Sequence, residues 1–208
     1  MFKTGVRAPA YRRDMTDDKT ILETLKLAAS AASGLVRDAD FDLDAPSPSA
    51  SWDARETANH FVLWTAYALD YRGQRKELGE DMTGRDFVAE PDWKNGYAEA
   101  MDHALEVWSD PATFEGTIGE GDGAMGARDI AVMLLLEFVL HGWDFAKTTG
   151  QDYAPDPAVG EFVLPVVEQY AAMYRQHDGF GEPVEVPADA SSLDKALALS
   201  GRDPNWTP

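Results

Sequence analysis

Apolar residues recur along this chain mostly at intervals of three and four positions, which is the spacing that places them on one face of an α-helix. Alternating patterns typical of β-strands are few, and no internal repeat is present. The pattern therefore predicts an all-α protein. Its long helices are predicted, in chain order, at about 17–36, 53–73, 93–108, 127–148 and 157–175.

Local signals mark the ends and the irregularities of these helices. Asp17 or Thr16 can cap the first helix, and Asp53 with Glu56 forms a capping-box pattern at the start of the second. Pro165 lies inside the fifth predicted helix, where proline removes a backbone hydrogen bond, so a kink is expected there.

The remaining segments are predicted to be less regular. The glycine-rich stretch 119–126 lacks the Lys-Ser/Thr step of a phosphate-binding loop and is interpreted as a flexible linker. After the fifth helix an extended segment is expected, followed by a short helical turn at about 193–199. Because 208 residues are few for two full domains, we predict a single domain over 1–208, with a bundle at about 16–176 and a packed C-terminal tail at about 177–208.

The charge of the chain narrows the range of partners. It has 18 lysine and arginine residues against 37 aspartate and glutamate residues, a formal net charge of -19, so nucleic acid and anionic membranes would repel it. Residues 1–14 contain no apolar run resembling a signal peptide, and no uncharged apolar stretch reaches the roughly 20 residues of a membrane-spanning helix. We expect a cytoplasmic protein that binds neither nucleic acid nor a membrane.

Two candidate metal ligands lie four residues apart in the predicted fourth helix. Glu137 and His141 share one face of an otherwise apolar run, and Asp144 follows on that face three residues later. A carboxylate enclosed in such a helix needs a strong partner, because desolvating an unpaired charge is costly, and a divalent metal would be one. The spacing is also that of an ordinary helical Glu–His contact, so it is weak evidence alone.

The predicted second helix contains a third candidate ligand. His60 lies in the run 57–69, which has no other acidic or basic residue, so it is expected to be enclosed as well. If the two helices pack together, His60, Glu137 and His141 would form a set of two histidines and one carboxylate with an open coordination position. The alternative is a core histidine satisfied by a backbone or hydroxyl acceptor.

Several segments resemble a known protein family. Residues 136–150, LEFVLHGWDFAKTTG, resemble the E-x-x-x-H-x-W-D-x-A-x-x-x-G signature of actinobacterial metal-binding proteins in the DinB-like, mycothiol-dependent maleylpyruvate isomerase superfamily. Trp52 precedes His60 as a tryptophan precedes the first metal-binding histidine of that family, and 180–190 and 201–206 resemble the ending of its short single-domain branch. The resemblance implies a DinB-like four-helix bundle with an additional helix and a short irregular C-terminal tail.

The resemblance also implies a metal and a class of reaction. In that superfamily a divalent metal is bound by the residues that correspond to His60, Glu137 and His141; zinc is expected, while nickel and iron suit the same donors. The chain contains no cysteine, so thiol chemistry would need a low-molecular-weight thiol such as mycothiol, acting on a small electrophilic substrate. The chain lacks room for the separate C-terminal domain of the isomerase. The resemblance therefore supports metal binding more strongly than it supports the isomerase reaction.

The leading hypothesis is a thiol transferase or isomerase in which a metal-activated thiolate adds to an electrophile. A metal-binding or stress-response module without turnover and a metal-assisted hydrolase are the alternatives. Catalytic residues are not identified by the sequence. The sequence does not reveal the oligomeric state; bundles of this type often pair through exposed helix faces, so a homodimer stays an open alternative to a monomer.

Further residues are candidates for supporting the metal pocket. Asp144 could orient a ligand imidazole, or it could cap a segment or pair with an arginine or lysine on a neighbouring loop. Trp64 and Trp143 could form walls of the pocket. His103 and His177 lie outside the pattern and are not assigned to the site.

Overall fold

Helices account for most of the chain in the computed structural model, which describes residues 17–49 and 51–207. Within that part, seven helical stretches are found and strands are short, so the all-α prediction is confirmed. The stretches are α1, Asp18–Asp38; α2, 54–73, made of Ala54–Val62, Leu63–Tyr67 and Ala68–Gly73; α3, Glu80–Thr83; α4, Trp93–Trp108; α5, 127–148, made of Ala127–Leu136, Glu137–His141 and Gly142–Thr148; α6, Pro157–Gln176; and α7, Ser192–Leu199.

None of these helices is long and apolar enough to cross a membrane. The predictions made for Thr16 and for residues 1–14 lie outside the described part.

One apolar core is shared by most of the helices. α1 packs against α4 and α5, and α2 packs against the same two helices, so all four contribute to one core. The largest fully buried side chains include Phe61, Tyr97, Trp108, Phe138 and Phe145. Burying one large apolar side chain contributes about 1.5 to 3 kcal/mol, so this interior is the main source of stability.

The predicted helix caps are present. The side chain of Asp17 accepts a hydrogen bond from the backbone N–H of Thr20 at 3.0 Å. Asp53 and Glu56 form the reciprocal capping box, in which each side chain accepts a backbone N–H of the other residue, at 2.8 and 3.0 Å. These bonds satisfy N–H groups that have no partner within the first turn of a helix.

The C-terminal part of the chain folds back on the preceding helices. α6 packs on α1 and α5 and continues through Pro165, while α7 packs along α6. The extended segment after α6 is tied to α7, because the backbone N–H of Val184 donates to Ala198 at 2.9 Å and that of Gly181 donates to Ser200 at 3.1 Å. This segment therefore contacts α6 through a helix, α7, that the sequence predicted only as a short helical turn.

The glycine-rich stretch before α5 differs from the prediction of a flexible linker. It forms a small antiparallel ribbon in which β1, Thr117–Ile118, pairs with β2, Met125–Gly126. Gly119 and Gly121 have φ values of 89° and 56°, in the left-handed region that favours glycine. These glycines therefore form the tight connection that leads into α5.

Candidate metal centre

α2 and α5 each contain a π-helical turn, and the two turns are in contact. The turn of α2 is Leu63–Tyr67, which begins three residues after His60, and the turn of α5 is Glu137–His141. π turns are rare in proteins and occur frequently at functional sites. Here they mark the place where the candidate ligands of two helices approach one another.

Side-chain hydroxyl groups donate to backbone carbonyls at both π turns. Oγ1 of Thr65 donates to the carbonyl of Phe61 at 2.6 Å, and the phenol of Tyr153 donates to the carbonyl of Phe138 at 3.0 Å. Gly142 leaves room for the second contact, since a Cβ atom there would lie 3.1 Å from the ring of Tyr153. These bonds stabilise the helices where their regular hydrogen-bond pattern is interrupted.

His60, Glu137 and His141 converge between the two helices. Nε2 of His60 lies 3.1 Å from Oε2 of Glu137, and Nε2 of His141 lies 3.6 Å from the same oxygen. One ligand atom from each of the three residues lies within 4.8 Å of the others. Zinc bonds of about 2.0 to 2.2 Å place tetrahedral donors about 3.4 Å apart, so small side-chain movements bring this group to the geometry of a metal site.

The three side chains lie at the edge of the core. The sequence suggested that they are enclosed, but the side chains of His60 and Glu137 are each 25% exposed and that of His141 is 19% exposed. An edge position is suitable for a site with an open coordination position, because a ligand can reach it from solvent.

The ionisation of the ligands also suits a cation. Burial lowers the pKa of His60, although the contact with Glu137 acts in the opposite direction. Burial alone would raise the pKa of Glu137, but the two neighbouring histidines outweigh it and lower the pKa. At neutral pH His60 is therefore a neutral imidazole and Glu137 an ionised carboxylate, which are the forms that bind metals.

Asp144 lies behind His141 and is held by Arg202 of the C-terminal tail. Oδ2 of Asp144 lies 2.9 Å from Nδ1 of His141. The two atoms do not have the geometry of a hydrogen bond, so the interaction between them is electrostatic. Arg202 donates from Nε to Oδ1 at 2.8 Å and from Nη2 to Oδ2 at 2.7 Å. Burial would raise the pKa of Asp144, but Arg202 and His141 together lower it to about 2. Asp144 thus contacts a ligand imidazole and also pairs with an arginine from another segment.

Aromatic rings flank the two imidazoles. The ring of Trp52 lies 4.6 Å from that of His60 and 5.4 Å from that of His141, and the ring of Trp64 lies 6.1 Å from that of His60. Trp143, the other predicted wall, is 4% exposed and faces Nζ of Lys147 at 5.7 Å. Among the described residues it makes no ring contact with either histidine, so Trp52 occupies the place next to both of them.

The other two histidines do not join the group. Nδ1 of His103 contacts Asp70 of α2, and His177 directly follows α6. Tyr174 does lie near the site: burial raises its pKa to about 12, and the charge of Glu137 acts in the same direction.

Sequence reasoning missed Tyr174 and Arg202 as neighbours of the site. A buried aspartate at position 144 indicates that a cation should be close, but it does not indicate which of the 18 lysine and arginine residues supplies it.

Comparisons with protein-family models, with curated proteins and with solved structures find no match to this chain. The family suggested by the sequence patterns therefore stays a prediction, and the interpretation of the site depends on its geometry.

Proposed function

We propose that this protein binds a divalent metal ion through His60, Glu137 and His141. The convergence of these residues from two helices, with ligand atoms within 4.8 Å of one another, is the observation that carries the proposal. Two imidazoles and one carboxylate are a donor set of catalytic zinc sites, in which a further position stays open. Zinc is the preferred ion, and nickel and iron(II) are compatible with the same donors.

The fold assignment that accompanies this proposal is a DinB-like four-helix bundle. The packing of α1 and α2 on both α4 and α5 supports it, with α6 as the additional helix. The tail contains α7 and the extended segments around it.

The open side of the site is proposed to take a low-molecular-weight thiol, with mycothiol as the expected example, and a small electrophile. The partial exposure of all three ligands, the lack of cysteine and the resemblance at 136–150 support this part of the proposal. A bound divalent ion lowers the pKa of a thiol at its open position, so the sulfur is available as a thiolate near neutral pH.

The proposed chemistry is addition of this thiol to an electrophilic carbon. The carbon–sulfur bond forms as the π bond of a carbon–carbon double bond in the substrate breaks; the thiol gives up its proton and the adjacent carbon takes one up, which gives a transfer product. Where the addition is reversible, rotation about the resulting single bond, followed by loss of that proton and of the thiolate, restores the double bond in the other geometry and gives cis–trans isomerisation. The residues of this chain hold the ion, while Trp52 and Trp64 limit the movement of the ligand rings beside it.

Metal analysis of the purified protein tests the first part. We expect about one zinc or similar ion per chain after loading and dialysis, and a large loss of binding in His60→Ala and Glu137→Gln. His103→Ala is the matched control, because this histidine pairs with Asp70 outside the site. Unchanged zinc binding in His60→Ala would contradict the proposal.

Cobalt substitution tests the thiol part. A thiolate bound to cobalt(II) gives a sulfur-to-metal absorption band in the near ultraviolet, so we expect this band with mycothiol and not with its S-methyl derivative. If cobalt binds but no thiol produces the band, the metal-binding proposal stands and the thiol mechanism is contradicted.

A structural metal is the second candidate, because an ion at this site would join α2 to α5. Removal of the metal with a chelator separates the two roles. A helical, cooperatively unfolding metal-free protein supports a functional site, whereas loss of the fold without any thiol binding supports the structural role.

A further inference from the structure

The C-terminal tail directs an arginine side chain towards the metal centre. α7 ends in a Schellman turn, in which the backbone N–H of Gly201 donates to Ala198 and that of Arg202 donates to Leu197, both at 3.0 Å. Gly201 has a φ of 87°, and a Cβ atom there would lie 2.5 Å from Cα of Gly181. A glycine is therefore required, and the turn fixes the direction in which Arg202 leaves α7.

The far end of the Arg202 side chain is fixed as well. Nη1 donates to Oγ of Ser200 at 3.0 Å, and Nε and Nη2 donate to the two carboxylate oxygens of Asp144. The side chain of Arg202 is 15% exposed and that of Asp144 is 2% exposed. A bidentate pair of this kind holds both groups in one relative orientation.

Asp144 connects this pair to a proposed metal ligand. Its Oδ2 atom, which accepts from Arg202, is also the atom 2.9 Å from Nδ1 of His141. A carboxylate beside Nδ1 favours the tautomer with the proton on that nitrogen, which leaves the lone pair of Nε2 for a metal. Nε2 of His141 is the nitrogen on the side of Glu137.

We propose that Arg202 is a positioning residue of the metal centre, which holds Asp144 in the orientation that keeps Nε2 of His141 directed at the ion. This inference depends on the proposed metal-binding function. It makes the C-terminal tail part of the site, although Arg202 itself does not bind the metal. Without Arg202, Asp144 has no fixed orientation, and His141 loses the contact that orders its ring.

A purely structural ion pair is the competing explanation, since the same contact also attaches the tail to α5. Replacing both partners by apolar residues of similar size separates the two roles, because the double replacement leaves no unpaired charge in the core. Stability can then recover, whereas the orientation of His141 cannot.

The experiment compares the zinc dissociation constant, measured by competition with a chromophoric chelator, with urea unfolding of the metal-free protein. The variants are Arg202→Met and the double variant Arg202→Met with Asp144→Leu. Arg175→Met is the matched control, because Arg175 donates to the carbonyl of Leu199 at 2.8 Å in the same tail. We expect zinc binding to weaken about 10- to 100-fold in both test variants. The double variant should recover most of its stability, and the control should bind zinc as the wild type does.

Recovery of zinc affinity together with stability in the double variant would show that the pair is only structural and would overturn the inference. Unchanged zinc affinity in Arg202→Met would do the same while the proposed metal site stands. If the wild-type protein binds no divalent ion, both the proposed metal-binding function and the positioning role of Arg202 are contradicted.

Arg202→Lys keeps the proposal testable where the apolar variants do not fold, since lysine retains the charge but not the bidentate contact. Weaker zinc binding with near-normal unfolding, and a changed visible spectrum of the cobalt form, is the expected result. An unchanged dissociation constant and spectrum would again overturn the inference.

Discussion

Replacement of Asp144 by asparagine keeps the size of the side chain but leaves the guanidinium of Arg202 without its counter-ion. The side chains of Asp144 and Arg202 are 2% and 15% exposed, so water cannot replace the lost carboxylate. We expect the metal-free protein to lose stability, because a charge that remains buried without a partner is costly.

The size of this loss follows from the pKa of Asp144 and from the usual cost of breaking a buried ion pair. The pKa of Asp144 is about 2, against an ordinary value of 3.8. That difference of roughly two units corresponds to about 2 to 3 kcal/mol at neutral pH. Removing one partner of a buried ion pair typically costs about 3 to 5 kcal/mol. The free energy of unfolding should therefore fall by about 3 kcal/mol in Asp144→Asn.

The same pKa determines how the loss depends on pH. Because the carboxyl group has a lower pKa in the folded state than in the unfolded chain, the unfolded chain takes up the proton first as the pH falls. The stabilising contribution of Asp144 is complete well above pH 4 and is lost between about pH 4 and pH 2. Roughly half of it remains at about pH 3, so the difference between wild type and variant should shrink accordingly.

Urea unfolding of the metal-free proteins, followed by helical circular dichroism between pH 7 and pH 3, measures both effects. Asp102→Asn, at an exposed position of α4, is the control and should change stability by less than about 0.5 kcal/mol. A loss below about 1 kcal/mol in Asp144→Asn at pH 7, or a loss of constant size down to pH 3, would show that the buried pair does not stabilise the fold as described.

Three further changes test other parts of the site. Because burial lowers the pKa of His60, zinc affinity should hold at neutral pH and fall only when the pH drops below the ordinary range of a histidine, where protons compete with the metal; rising affinity on acidification would contradict this. Trp52→Phe removes the indole 4.6 Å from the His60 ring, so the fluorescence change on zinc binding should become smaller, with Trp64 at 6.1 Å giving the remainder; an unchanged signal would contradict this placement, and Trp93→Phe is the control. Gly201→Ala places a Cβ atom 2.5 Å from Gly181 at a φ of 87°, so urea unfolding should show a loss of about 2 kcal/mol or more, and normal stability would show that this turn can move.

The long helices were predictable because their signals are local. Apolar spacing and capping residues depend on neighbours within one or two turns, so the capping box of Asp53 and the range Trp93–Trp108 could be predicted from the sequence. The π turns were not predictable, because hydroxyl groups at Thr65 and at the distant Tyr153 support them, and nothing in the run 137–141 distinguishes it from an ordinary α-helix.

The site was predictable only in part. His60, Glu137 and His141 stand out as polar positions in apolar helices, and their meeting follows once α2 and α5 pack together. The partner of Asp144 could not be predicted, since Arg202 lies 58 residues further along the chain and reaches the site only through the folded tail. Long-range packing of this kind leaves no pattern in a single sequence.

Whether one ion joins α2 to α5 can be decided by anomalous diffraction at the zinc edge from crystals of the zinc-loaded protein. We predict one strong anomalous peak at about 2.0 to 2.2 Å from Nε2 of His60, a carboxylate oxygen of Glu137 and Nε2 of His141. A zinc peak bound by other residues, or no peak between these three side chains at saturating zinc, would contradict the proposed metal centre.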